Sequence, residues 1–151
     1  MRLLPATVGL LFALLLPLPA SADWEFSQWG MTRQQLMAAS QGKAKACAAS
    51  DMSTCYLAMD GCKAGAHMQR YPAFGLTFTV VFGFDDKATL ACMLLTFEGA
   101  DSIKDTFLKV YGKPDEQTRG SALWTDRTGY NSIRLFQVRD RTHIQYRPFG
   151  K

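Results

Sequence analysis

Residues 76–97 constrain the fold more than any other stretch of the chain. Leu76, Phe78, Val80, Phe82 and Phe84 alternate with Thr77, Thr79, Val81 and Gly83, the period of a pleated strand whose side chains point to opposite faces in turn. Asp85-Asp86-Lys87 turns the chain into residues 89–97, where Leu90, Cys92 and Leu94 oppose Met93, Leu95 and Phe97. Both faces of this hairpin are apolar. It must therefore lie in the middle of an antiparallel sheet, or offer one face to a partner.

Further strands are expected at 122–125, 132–138 and 142–149, separated by Asp126-Arg127-Thr128-Gly129 and Arg139-Asp140-Arg141, turn residues that specify antiparallel hairpins. In the last strand Thr142, Ile144 and Tyr146 alternate with His143, Gln145 and Arg147, so one side faces water. Two helices are expected. Thr32 and Gln35 form a capping box ahead of residues 33–40, with Met31 and Leu36 placed as a hydrophobic staple and Gly42 near the stop. The second spans 102–111, with Asp101 or Ser102 as cap, Ile103, Phe107, Val110 and Tyr111 along one face, Gly112 as the left-handed stop and Pro114 preventing resumption. Residues 59–71 would give the first strand of the first half. These readings assemble into an α+β fold: two helix-plus-antiparallel-meander units forming one antiparallel sheet with the helices packed on one face. An internal duplication, 23–97 and 98–151, is the corresponding expectation.

The N-terminus bears on where such a domain works. Arg2 precedes an apolar run from Leu3 to Leu18, and Ala20-Ser21-Ala22 suits a signal peptidase. The run is shorter than the roughly 20 residues a bilayer core needs, and Pro5, Pro17 and Pro19 interrupt it. Residues 1–22 read as a cleaved Sec-type signal peptide without a lipid-attachment cysteine, and 23–151 as a single domain in the periplasm or outside the cell. No later stretch is expected to span a membrane. Formal net charge is +4 for the full chain, too weak a balance for nucleic acid. The basic residues gather late, from Arg119 through Arg127, Arg134, Arg139, Arg141 and Arg147 to Lys151. They suit outward strand positions, or a face that meets an acidic protein, glycan or lipid group.

In an oxidising compartment Cys47, Cys55, Cys62 and Cys92 read as two disulfides with three possible connectivities. The preferred pairing joins Cys47 to Cys55, stapling the loop after the first helix, and Cys62 to Cys92, tying that loop to the sheet. No spacing matches a zinc ribbon or a Cys-x-x-Cys redox motif. The two histidines, His67 and His143, stand in no catalytic motif, so no enzyme and no cofactor are expected. His67 and Met68, with Met52 and Met59 upstream, are soft ligands that would suit Cu(I) if the cysteines were reduced, although methionine more commonly fills irregular cores.

Trp24, Phe26, Trp29, Tyr56, Tyr71, Phe74, Trp124, Tyr130, Tyr146 and Phe149 exceed what a core of this size must bury, and aromatic and Arg side chains carry much of the energy of interfaces. Trp29 and Trp124 are read as anchors between helix and sheet. Tyr56, Arg127, Tyr130, Arg139 and Arg141 are the binding candidates, and they form one surface only if their turns converge.

The Trp29-Gly30-Met31-Thr32 opening with Gln34-Gln35-Leu36, and Phe107-Leu108-Lys109-Val110-Tyr111-Gly112-Lys113-Pro114 leading to Trp124 and a terminal hairpin, resemble small bacterial envelope proteins of the BamE-like, or beta-lactamase-inhibitor-like, fold. The resemblance implies a non-enzymatic protein whose sheet or loops bind another envelope or secreted protein, as an inhibitor or an envelope-assembly accessory. The chain departs from BamE itself in lacking a lipidated cysteine and in its additional cysteines. An anionic peptidoglycan or lipid fragment is the alternative ligand, with the arginines as clamps.

Overall fold

The computed structural model describes residues 26–51, 53–99 and 103–150. The leader, Trp24, Met52 and the expected cap at Asp101 or Ser102 lie outside them. Eight strands form one antiparallel sheet: β1 (Lys45–Ala46), β2 (Lys63–Ala73), β3 (Leu76–Phe84), β4 (Leu90–Glu98), β5 (Glu116–Gln117), β6 (Ser121–Asp126), β7 (Asn131–Val138) and β8 (Arg141–Pro148). Their order across the sheet is β1-β2-β3-β4-β8-β7-β6-β5. The apolar hairpin β3–β4 lies inside the sheet, flanked by β2 and β8. The edges are strands of only two residues, pairing with Ala66 and His67 of β2 and with Ala122 and Leu123 of β6.

Helices are few and short: α1 (Arg33–Ala39) and α2 (Ile103–Tyr111). The capping box forms as the sequence dictates, with the Gln35 amide donating to Thr32 Oγ1 at 3.3 Å and the Thr32 amide to Gln35 Oε1 at 2.8 Å. Yet α1 buries only Leu36. In α2 the buried residues are Ile103 and Phe107. The expected stripe is wrong at Val110, which is 58% exposed, whereas Tyr111 is partly buried. Phe107 makes tilted ring contacts with Tyr111, Phe74 and Trp124, with ring centroids 5.2–5.5 Å apart. The Trp124 indole then donates to the Gly112 carbonyl at 2.9 Å, tying the end of the helix to β6.

The two-unit α+β description therefore fails. Of the described residues 48% are in extended structure and 16% in helix, the 3-10 turn Ala49–Asp51 included, so the dominant element is the sheet and the helices are short covers. Six consecutive residue pairs between β4 and β8, Met93↔Tyr146 to Glu98↔Arg141, run the sheet through the proposed boundary between units. The physical reason is that α1 and α2 bury too few side chains to found separate cores, whereas the strand ladder satisfies backbone groups and apolar faces together. The weak first strand moves as well, to Lys63–Ala73, because Cys62 is bonded across to β4.

One face of the sheet holds the main core. Ala66, Phe78, Phe82, Met93, Leu95, Ile133 and Ile144 point to it, and Leu36 and Phe107 cover it. Trp29 donates from its indole to Asn131 Oδ1 at 2.9 Å, anchoring the segment before α1 to β7. Tyr146, expected among the surplus aromatics, is buried in this core, and Phe26, Tyr71 and Phe74 pack against it.

Candidate functional site: the second face of the sheet

Among the described residues, the other face is covered by no α-helix. The strand register assigns it two rows that cross the sheet. Thr79, Thr96, His143, Phe136 and Ser121 stand side by side on β3, β4, β8, β7 and β6, and His67, Val81, Leu94, Gln145, Arg134 and Leu123 form the parallel row from β2 to β6. This is why the hairpin is apolar on both sides: Val81 and Leu94 are buried here, and Leu94 packs with Leu57, Met59 and Cys62 of the loop between α1 and β2.

That loop is held by the two disulfides, Cys47–Cys55 and Cys62–Cys92, which are the pairing preferred from the sequence. Leu57, Met59 and Cys62 pack on Cys92 and Leu94 in a small second core. Gly83 makes the approach possible. A Cβ there would meet Leu57 Cδ2 at 2.5 Å and the Cys92 sulfur. Arg147 donates from Nη2 to the Asp60 carbonyl at 2.8 Å, closing the far end of the loop onto β8.

Beside the loop lies an open groove of about 660 Å³, whose lining includes Tyr56, Arg70, Thr79, Thr96, Arg141 and His143. A bulge in β2 between Met68 and Tyr71, with Arg70 at φ 58°, brings Arg70 to this wall. His143 Nδ1 and Thr96 Oγ1 share a hydrogen bond of 3.0 Å, and the imidazole stacks on Phe136 with centroids 5.1 Å apart and planes at 19°. Burial lowers the His143 pKa and the neighbouring Arg141 charge lowers it further. The ring is consequently neutral near pH 7, a hydrogen-bonding and stacking surface without charge. Arg141 pairs with Glu98 at 3.6 Å, both exposed. Across the loop a polar groove of about 410 Å³ is lined by Asp60, Ser132, Arg134, Gln145 and Arg147 among others.

Of the residues selected from sequence, Tyr56 and Arg141 line the larger groove. Arg139 lies in the β7–β8 turn at φ 57°, two residues before Arg141. Arg127 and Tyr130 lie in the β6–β7 turn, separated from Arg139 by the eight residues of β7, about 27 Å of extended chain. The five do not form one surface. Sequence reasoning missed Arg70, Thr79, Thr96, Phe136 and the pairing role of His143. Alternation identifies which of these strand residues share a face, but neighbours on that face come from register alone.

A third feature stands at the β2 end of this face. His67 is buried, and its Nδ1 lies 3.3 Å from Cys55 Sγ and 4.0 Å from Cys47 Sγ. Among the described residues, no helix is long and apolar enough to cross a membrane. No family model, curated protein or solved structure matches the chain.

Proposed function

We propose that the protein is a binding module of an oxidising compartment, the periplasm or the cell exterior, that seats an extended acidic segment of another protein in the larger groove. The observation that carries this reading is the row Thr79, Thr96 and His143 in an open groove beside a loop fastened by disulfides. Hydroxyls and a neutral imidazole supply hydrogen bonds, Phe136 backs that imidazole by stacking on it, and Tyr56, 70% exposed, is an aromatic anchor on the rim. Arg141 is paired with Glu98 on the same wall, so Arg70 is the charge that gives the groove its positive bias and favours an acidic occupant through complementarity. Disulfides keep the loop in place before binding, lowering the ordering cost of association. The resemblance to small envelope proteins that bind other proteins points the same way.

The Thr96–His143 pair is the nearest approach to a catalytic group, but the carboxylate closest along β4, Glu98, is engaged by Arg141. A hydrolytic triad needs that third group on the imidazole. The anionic glycan or lipid fragment remains the second reading, favoured by Arg134 and Arg147 in the smaller groove.

A photo-crosslinking side chain placed at Tyr56 or Thr79 in the full chain, in its native envelope or culture fluid, tests the first reading. The expected product is one discrete polypeptide adduct, absent when the same group replaces exposed Lys109 on α2. Capture of glycan or lipid alone, or the same adducts from both faces, refutes it.

A further inference from the structure

We propose that Cys47, Cys55 and His67 form a thiol-gated site for a thiophilic d10 cation, Zn²⁺ or Cu⁺. As a disulfide the two cysteines offer no thiolate, and the site is closed. A dithiol reductant opens it: the Sγ–Sγ bond breaks, two electrons and two protons pass from the dithiol, and the reductant leaves as its own disulfide. The cation then binds two thiolates and one imidazole nitrogen, releasing the two thiol protons to solvent.

The geometry carries the proposal. The three donor atoms lie within 4.8 Å of one another. With metal–sulfur and metal–nitrogen bonds of about 2.3 and 2.0 Å, a tetrahedral centre sets sulfur and nitrogen ligands about 3.5 Å apart and two sulfurs about 3.8 Å apart. The observed sulfur–nitrogen distances, 3.3 and 4.0 Å, bracket the first value. Only the sulfurs must separate, and their Cα atoms already stand 6.0 Å apart. His67 is fixed for this role, being 7% exposed and placed on β2 between Lys45 of β1 and Val81 of β3. Two thiolates and an imidazole are a donor set that selects zinc or monovalent copper over hard cations.

The second disulfide lacks these properties. Cys92 is fully buried in an apolar cluster with Met59 and Leu94, and the donor set around Cys47 is the cluster of potential metal ligands among the described residues. Cys47 and Cys55 are both partly exposed, so a dithiol can attack either sulfur of this bond, whereas the second disulfide is open only at Cys62. The Cys47–Cys55 loop also carries Ser53 and Thr54, which line the large groove, so the redox state of the site bears on the groove wall.

The test uses the full chain, oxidised or reduced with dithiothreitol and desalted without oxygen. Zn²⁺ is titrated against a chromophoric chelator and Cu⁺ against bathocuproine disulfonate, with Co²⁺ as a spectroscopic probe of thiolate ligation. The reduced protein is expected to take one ion, and bound metal to protect Cys47 and Cys55 from alkylation mapped by mass spectrometry. Cys47→Ser with Cys55→Ser should abolish binding under the same reduction. His67→Gln should weaken it by more than about tenfold, the cost of losing even a group that only orients a ligand. Equal binding by the oxidised protein, no binding by the reduced one, or binding that survives the double serine variant overturns the proposal. Should His67→Gln fail to fold by circular dichroism, the alkylation map of the wild-type chain decides alone.

Discussion

Gly83 should be irreplaceable because of a covalent bond on a neighbouring strand. It faces Cys92 across the β3–β4 ladder, and an added Cβ would collide with the Cys92 sulfur, with Leu57 Cδ2 at 2.5 Å and with Cys62 Cβ at 3.0 Å. The Leu57 methyl can rotate away. The sulfur cannot, since the bond to Cys62 and the strand register both hold it. Forcing a methyl group into such a site costs about 1–3 kcal/mol, which lowers the melting temperature of a domain of this size by roughly 4–12 °C. The informative comparison is Gly83→Ala in a Cys62→Ala/Cys92→Ala background. Losing that crosslink, 30 residues apart in sequence, itself costs about 3.7 kcal/mol by the chain-entropy estimate. It also removes the sulfur, so Gly83→Ala should then cost at least about 1 kcal/mol less than in the oxidised wild type, the coupling expected of residues in contact. Urea unfolding followed by circular dichroism, with the cystine state verified by mass spectrometry, measures all four corners of this cycle. Equal costs in both backgrounds would refute the steric argument.

Phe107→Ala removes the ring that Phe74, Tyr111 and Trp124 share, and should destabilise the fold by about 3–5 kcal/mol; a loss below about 1 kcal/mol by urea unfolding would mean that α2 is not a real cover of the core. His143 imposes a pH dependence whose sign follows from its lowered pKa. The unfolded chain takes up the proton first, so stability is fully present above the ordinary value near 6.5 and is lost as the pH falls through the lower, folded value. His143→Gln should flatten that part of the stability profile, and NMR titration of the imidazole should give a pKa below 6.5; a raised value would contradict the burial seen beside Phe136.

Much of the secondary structure was legible because it is written in local chemistry. The alternation from Leu76 to Phe84 marks a strand whatever surrounds it, and Thr32 with Gln35 caps a helix using atoms three residues apart. Local signals failed where packing chose among equivalents. Val110 and Tyr111 both fit an apolar stripe, and contact with Phe107 recruited Tyr111. The edge strands β1 and β5 are two residues each and carry no periodicity to read. Fold class failed for a related reason: two helix starts of good quality were given the weight of two structural units, although α1 buries a single side chain. The candidate groove was only half legible. Tyr56 and Arg141 were selected for exposure and charge, whereas Thr79, Thr96 and Phe136 are ordinary strand residues until the register sets them beside His143.

By itself, the sequence determined the positions of β3, β4 and the strands β6 to β8, the turn residues between them, the capped start of α1 and a cysteine count suited to two crosslinks. These depend on interactions a few residues long, or on composition. Only the tertiary structure decided that the strands form one sheet with β4 beside β8, that Cys47 and Cys55 meet His67, and that Thr96 meets His143 in an open groove. Each of those contacts joins residues 12 to 53 positions apart along the chain. Their partners are chosen by strand register and by the burial of both faces of a central hairpin, which no local pattern encodes.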